Sequence, residues 1–189
     1  VAPSKGIKTV KELVAQAKSS SLSFASAGVG SATHWAAERF NVSAGLKVTH
    51  VPFRGGPEAL TEVMTGRVDY IFIGISSGLP FIQNKQLAPL AVSSAKRSRT
   101  QPYVPTTLEA GYKDSDFNYW NGMLVPAKTI VDRFYSETTK VLALPDVQQK
   151  LKVQGVEPAP LTPSDMDAMI RREIALNIKI AKEAGLKFN

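Results

Sequence analysis

Within the first 80 residues, three apolar runs each end in a loop of small residues and give way to a helical stripe. The loops are Ser26-Ala27-Gly28-Val29-Gly30-Ser31, Arg54-Gly55-Gly56-Pro57 and Ile73-Gly74-Ile75-Ser76-Ser77-Gly78. Regular alternation of helix and strand patterns is the mark of a parallel sheet with helices on its faces, so an α/β fold is expected. Loops that follow parallel strands gather along one edge of the sheet, where ligands bind in open α/β folds.

The elements follow from periodicity. Val10, Leu13, Val14 and Ala17 recur at i, i+3, i+4 and i+7, with Thr9 placed to cap the helix they define. A strand is expected over Leu22 to Ala25, then a helix with Trp35, Ala36 and Phe40 on one face. A second strand is expected over Lys47 to Phe53. Pro57 suits the first position of the next helix, which carries Leu60, Val63 and Met64 and ends at Gly66. Val68 to Ile75 is continuously apolar, as in a strand covered on both faces. A short helical turn and a strand over Leu87 to Ser93 complete this part. Residues 96–118 are turn-rich, with Pro102, Pro105 and Gly111. A strand over Tyr119 to Pro126 then leads into helices. One has Val131, Phe134, Thr138 and Val141 on a face, and one spans Pro145 to Gln154. The last has Thr162 as N-cap, Pro163 as first residue, Asp165 in its first turn and Gly185 as its stop. Ile170, Ile174, Ile178 and Ala181 are its expected buried stripe.

Composition narrows the function classes. A length of 189 residues corresponds to one domain or slightly more. There is no cysteine, which removes disulfide frameworks, thiolate zinc sites and thiol nucleophiles. The formal charge of +7 suits anionic partners. The densest basic run, Lys96-Arg97-Ser98-Arg99, has no neighbouring aromatics on which bases would stack, so nucleic acid is not expected. No stretch is long and apolar enough for a transmembrane helix. Val1-Ala2-Pro3-Ser4 is not a signal peptide, and without an initiating Met the expectation is a removed leader or a fragment.

The segment from Ala27 to His34 holds the sharpest chemistry. At a strand–loop–helix junction, free N–H groups and the positive end of a helix dipole meet a ligand, and a carboxylate or phosphate is the natural occupant. Gly28 and Gly30 let a ligand approach the backbone, or else simply make a tight turn. Ser31 and Thr33 offer hydroxyls, although Ser31 also suits a helix cap. The loop is not a P-loop, since no Gly-Lys-Ser/Thr follows, and Thr33 stands where a dinucleotide fingerprint has its third glycine. No nucleophile elbow occurs. His34 has Glu38 one turn on, too few ligands for a metal site, and His50 reads as a core or edge histidine. Ser31, His34 and Asp69 assemble a triad on paper, but Ser and His three apart on one helix are not specific. Neither a catalytic residue nor a cofactor is expected.

Together these segments resemble a family. They occur in order with Val51-Pro52-Phe53, Glu58-Ala59-Leu60, Gly66-Arg67-Val68-Asp69-Tyr70-Ile71-Phe72, Leu90 to Ser98, Val104-Pro105-Thr106, Glu109-Ala110-Gly111, Trp120-Asn121-Gly122 and Val125-Pro126-Ala127. The chain is similar along its length to the Bug, or TctC-like, extracytoplasmic solute-binding proteins of tripartite tricarboxylate transporters. The resemblance implies a type II periplasmic-binding-protein fold of two lobes, closing on a small carboxylic acid and delivering it to membrane transporter subunits from the periplasm. It implies that the family's N-terminal third is missing here. Residues 1–118 would be the second, ligand-binding lobe, complete with its parallel-rich sheet. Residues 119–189 would be the crossover strand and C-terminal helices returning to the other lobe. Matched to the family's pattern, the ligand-binding residues are Ala27, Gly28, Gly30, Ser31, Thr33, His34, Arg54, Gly55, Gly74, Ile75, Ser76 and Trp120, with Trp120 as a cleft wall. Gly56 departs from the family's serine. Ile73 and Gly74 replace the Asp-Asn many members carry, which points away from an amino acid towards a di-, tri- or aromatic carboxylic acid. Two other readings are an effector domain of a LysR-like regulator and a Ser/His hydrolase.

Overall fold

The computed structural model describes residues 1–126 and 128–186 and comprises two compact units, Val1–Tyr119 and Trp120–Asn189. A 3-10 turn at Pro3–Lys5 opens the first unit. There follow α1 (Val10–Ser19), β1 (Ser23–Ser26), α2 (Ala32–Ala44), β2 (Thr49–Pro52), α3 (Gly56–Met64), β3 (Tyr70–Ile71) and α4 (Ile75–Gln83). The second unit holds α5 (Lys128–Leu142), α6 (Pro145–Val153) and α7 (Pro163–Glu183).

The sheet runs β2-β1-β3 and both pairings are parallel. Phe24 of β1 stands opposite His50 on one side and Tyr70 on the other. The chain leaves β1 in one direction to make β2, then crosses back over β1 to make β3. Right-handed crossovers of opposite sense put α2 and α3 on opposite faces. The cores agree with that. Successive strand residues point to opposite faces, and Phe24 joins Leu13, Ala37, Phe40 and Tyr70 in one cluster. Ala25 joins Ala59, Leu60 and Val63 in the other. Phe24, Ala25, Ala37, Ala59 and Val63 are fully buried. Each large apolar side chain so placed is worth about 1.5–3 kcal/mol in removed surface. α1 is capped as the sequence implies, with Thr9 Oγ1 accepting the Glu12 N–H at 3.1 Å.

Several strands are shorter than their apolar runs. Of Val68 to Ile75 only Tyr70 and Ile71 are strand, and Ile75 already belongs to α4, which is nine residues rather than a turn. The cause lies at Asp69. Its carboxylate takes the Ser23 N–H at 2.8 Å and its own N–H donates to Ser23 O, so a side chain supplies part of what the ladder would. Lys47 to Phe53 contracts to Thr49–Pro52. Leu87 to Ser93 is not a strand. Pro89 has no N–H to give a ladder, and the neighbouring groups pair elsewhere. Ala88 exchanges both its backbone bonds with Val1, and Val92 forms a lone parallel bridge to Thr106. Residues 84–119 are held instead by buried hydroxyls. Ser93 Oγ donates to Phe117 O, and Ser115 Oγ donates to Thr107 Oγ1.

Tyr119 to Pro126, where the first unit passes into the second, forms no strand, because no described segment offers it a ladder. Ala127, the last residue of the Val125-Pro126-Ala127 motif, lies outside the described residues. The limits of α7 follow its punctuation. Thr162 Oγ1 accepts the Asp165 N–H at 3.1 Å, and Gly185 follows with φ +67°. Its stripe does not. Ile180 and Ala181 are buried, but Ile174 and Ile178 are more than half exposed. Phe134 and Val141, on the expected apolar face of α5, are also about half exposed.

Candidate functional site

Each of α2, α3 and α4 begins just after the carboxyl end of a parallel strand, so three helix N-termini face one edge of the sheet. Order β2-β1-β3 means that the crossovers leaving β1 and β2 run in opposite senses, and ligands of open α/β sheets bind at the carboxyl edge where the order reverses. The loops touch in sequence along it. A Cβ at Gly28 would meet Phe53 O at 3.5 Å, and one at Gly56 would meet Ile73 Cδ1 at 3.4 Å. Tyr119 Cδ1 lies 4.0 Å from the same point at Gly74. Gly28 also has φ +124° and Gly55 φ +127°, a backbone region that L side chains rarely adopt.

The loop after β1 is bonded to itself. Ala27 N–H donates to Thr33 Oγ1 at 2.8 Å, Gly28 N–H to Ser26 Oγ at 3.1 Å and Gly30 N–H to His34 Nδ1 at 3.1 Å. Ser31 N–H and Ser31 Oγ both donate to Gly28 O, at 3.2 and 2.7 Å. Ser31 caps α2 by accepting the His34 N–H at 3.3 Å, and its hydroxyl lies 2.8 Å from Thr33 Oγ1. The Ser31 and Thr33 hydroxyls are therefore engaged within the loop. The amides of Val29, Ala32 and Thr33 have no protein acceptor among the described residues, and they lie in the loop or first turn of α2. The N-caps of α3 and α4, Gly55 and Gly74, carry no side-chain cap. A set of fixed, unbonded N–H donors at helix starts is suited to an anion.

Beneath the loop lies a stack of rings that sequence reasoning did not bring together. His34 and His50 are 4.0 Å apart and 11° from parallel, and Phe24 stacks on His50 at 4.8 Å. His34 is 1% exposed. Its Nε2 faces Glu38 Oε1 at 3.6 Å. His50 Nε2 lies 2.6 Å from Ser26 Oγ. Burial, and then the neighbouring His34, push the His50 ring down to about 4. The signal that brings them together is the strand register, which sets His50 opposite Phe24, two residues before Ser26 on the same face of the sheet.

Ala27, Gly28, Gly30, Ser31, Thr33 and His34 form one loop and helix start. Arg54 and Gly55 lie in the second loop, where Arg54 is exposed and its N–H donates to Glu58 Oε2 at 3.0 Å. Gly74, Ile75 and Ser76 open α4. Trp120 belongs to the second unit, 45% exposed, packed with Met166 around Gly122. The triad of Ser31, His34 and Asp69 is not assembled. Asp69 is bonded to Lys5 at 2.7 Å and to Ser23, at the other end of β1 from the loop. Ser31 Oγ donates to a carbonyl, and His34 Nδ1 is occupied by Gly30. Among the described residues there is no group of three or more metal-ligating side chains.

Residues 1–186 match the model of the tripartite tricarboxylate transporter family receptor, TctC. The chain belongs to this family. The TctC chain is 33% identical over 172 residues to the UPF0065 protein in the tcbD-tcbE intergenic region of Pseudomonas sp. strain P51, covering 89% of itself and 51% of that protein. It is 26% identical to BugT of Bordetella pertussis, covering 98% of itself and 58% of BugT. Among solved structures it superposes on Rpa4515 of R. palustris with adipate at TM-score 0.88 and 28% identity, covering 98% of itself and 64% of that chain. The periplasmic binding protein BugD follows at TM-score 0.82 and 26% identity, with 96% and 63% covered. MatC of Rhodopseudomonas palustris with bound malate gives 0.72 and 25%, with 94% and 60% covered. The chain thus spans about half the length of the Pseudomonas relative and less than two thirds of these solved chains. The α/β periplasmic-binding-protein fold is shared with them. Membership in a receptor family does not favour the regulator-domain reading.

Proposed function

We propose that this TctC chain is the carboxylate-gripping part of a periplasmic receptor, which binds a small acid and releases it unchanged to the membrane subunits of a tripartite transporter. One observation carries the reading. The unbonded amides of Val29, Ala32 and Thr33 stand in a loop whose hydroxyls and remaining glycine amides are already bonded, at the carboxyl edge of the sheet. Donors fixed before the ligand arrives lose little order on binding. In this reading Gly28, Gly30, Ser31, Thr33 and Ala27 build the loop, and His34 supports it. Gly55, Gly74, Ile75 and Ser76 present the starts of α3 and α4 to a second oxygen. Exposed Arg54 adds positive charge at the rim. Trp120 as a cleft wall rests on the family resemblance alone.

Relatives with adipate and malate direct the ligand class to dicarboxylates. Ile73, Gly74 and Ile75 line the β3 side with apolar groups, so a ligand with an aliphatic or aromatic body and a carboxylate head is favoured over a charged amine. Isothermal titration with adipate, malate and benzoate, against the matching amides, tests this. Binding of an acid with no binding of its amide is expected. Equal binding of both, or of neither while the protein is folded, overturns it.

A further inference from the structure

We propose that His34 and His50 are positioning residues for the ligand loop, His34 fixing Gly30 and His50 fixing Gly28 through Ser26. The proposal rests on the carboxylate reading and deepens it, because the two anchored glycines flank Val29 and precede the first turn of α2. The Gly30 amide is held by one hydrogen bond, and the Gly28 amide by a relay of two, while the Gly28 carbonyl also accepts from Ser26 Oγ at 3.1 Å and from Ser31. Gly30 N–H points at His34 Nδ1 at 3.1 Å, so Nδ1 must carry a lone pair. Gly28 N–H ends on Ser26 Oγ at 3.1 Å, and Ser26 Oγ in turn meets His50 Nε2 at 2.6 Å. The two rings hold each other in place by stacking at 4.0 Å, with Phe24 completing the stack. The rings hold the two glycine amides from below, while Ser31 holds the Gly28 carbonyl from within the loop.

This arrangement works with uncharged rings. A proton on His34 Nδ1 would set one donor against another and release Gly30. The surroundings bear on that charge as follows. From α2, Glu38 Oε1 faces His34 Nε2 at 3.6 Å, where it can favour a proton on Nε2 but cannot restore the lone pair at Nδ1. From β2, His50 is a second potential cation against the first. From β1, Phe24 and Ser26 are neutral, and Tyr70 of β3 packs on Phe24 at 5.8 Å. Asp69 and Lys5 pair with each other at the far end of β1. Trp35 is the remaining ring near His34, at 6.1 Å. The acceptor that holds the Gly30 amide is therefore the lone pair of His34 Nδ1.

The test needs variants that separate the acceptor from the ring that carries it. In His34→Asn, the side-chain oxygen stands in for Nδ1. In His34→Leu, the acceptor is gone. In His50→Phe, the stack stays and the Ser26 contact goes. Adipate binding is followed by calorimetry at neutral pH. The ring nitrogens of His34 and the amide exchange of Gly28 and Gly30 are followed by NMR without ligand. Expected are an unprotonated Nδ1, a protected Gly30 amide, and adipate affinity lost by about tenfold or more in His34→Leu, the effect of one broken buried hydrogen bond. His34→Asn, which keeps an acceptor, should hold adipate affinity near that of wild type. His50→Phe should speed exchange at Gly28 more than at Gly30. A proton found on Nδ1, Gly30 exchange unchanged in His34→Leu, or adipate affinity as low in His34→Asn as in His34→Leu overturns the proposal. If wild type takes up neither adipate nor malate, the carboxylate reading falls. The ring nitrogens and glycine exchange still decide the positioning role. Should His34→Leu fail to fold, wild type, His34→Asn and His50→Phe decide it alone.

Discussion

The two units of this chain treat similar side chains in opposite ways. In the first, Phe24 and Phe40 are at most 1% exposed, and buried Ser26, Thr107 and Ser115 bond to neighbouring groups. In the second, Phe134, Val141, Ile174 and Ile178 stand about half exposed, and a groove along α5 is lined by Met123, Ile130, Phe134 and Val141. The helices are equally well formed in both. What differs is the sheet. A parallel sheet has two apolar faces, and a helix on each covers it completely. Helical pattern and caps can define α5, α6 and α7 without supplying a layer for them to bury against.

Substitutions can sharpen or break that contrast, and the two tryptophans, Trp35 and Trp120, offer one reporter per unit. The largest effect is expected at Phe24. Phe24→Ala should cost about 3–5 kcal/mol in the transition reported by Trp35, as deletion of a fully buried aromatic does. Phe134→Ala should cost well under about 1 kcal/mol in the one reported by Trp120. Comparable losses in urea titrations of single-tryptophan variants would erase the distinction.

Asp69 comes next. Burial opposes its ionisation, but the bonds from Lys5 and Ser23 prevail and hold its carboxyl below the ordinary value. A depressed folded value means stability that is present above the unfolded value of about 4 and lost as pH falls through the lower folded one. Asp69→Asn should cost about 1–3 kcal/mol at neutral pH and flatten the acid limb of the first unit's stability. An acid limb of unchanged slope would show that another carboxyl sets it.

The caps should then behave alike in both units. Thr9→Ala and Thr162→Ala each remove an acceptor 3.1 Å from an N3 amide, and each should cost about 1 kcal/mol. A much larger cost at Thr162 would mean that α7 depends on its cap more than on packing. Smallest of all, Ile174→Lys should move stability by no more than about 0.5 kcal/mol, since its site is solvated. A loss of several kcal/mol would reveal that this face is covered in solution.

Legibility followed the range of the interaction. α1 and α7 could be read because stripe, cap and stop lie within a few turns of one another. The convergence of the three glycine loops could be read because it follows from alternation and parallel pairing. The strand expected over Leu87 to Ser93 failed because its backbone partners are Val1, Pro105, Thr107 and Phe117, which nothing local announces. The stripe on α7 predicted burial from periodicity, but periodicity shows only which face is apolar, not that anything covers it. At the site, residue types pointed to Ser31 and Thr33 as ligand donors, whereas the loop uses their hydroxyls itself. The bond from His50 to Ser26 spans 24 positions and depends on register, so it emerges only once β1 and β2 are paired.

The self-bonded loop after β1 has a consequence for inheritance. If the acid is held by main-chain groups, the hold is not encoded at any one codon. Side chains facing the ligand can drift with the diet of the cell while the head group stays recognised. Relatives only 25–28% identical, with adipate in one structure and malate in another, are what such a division of labour leaves behind.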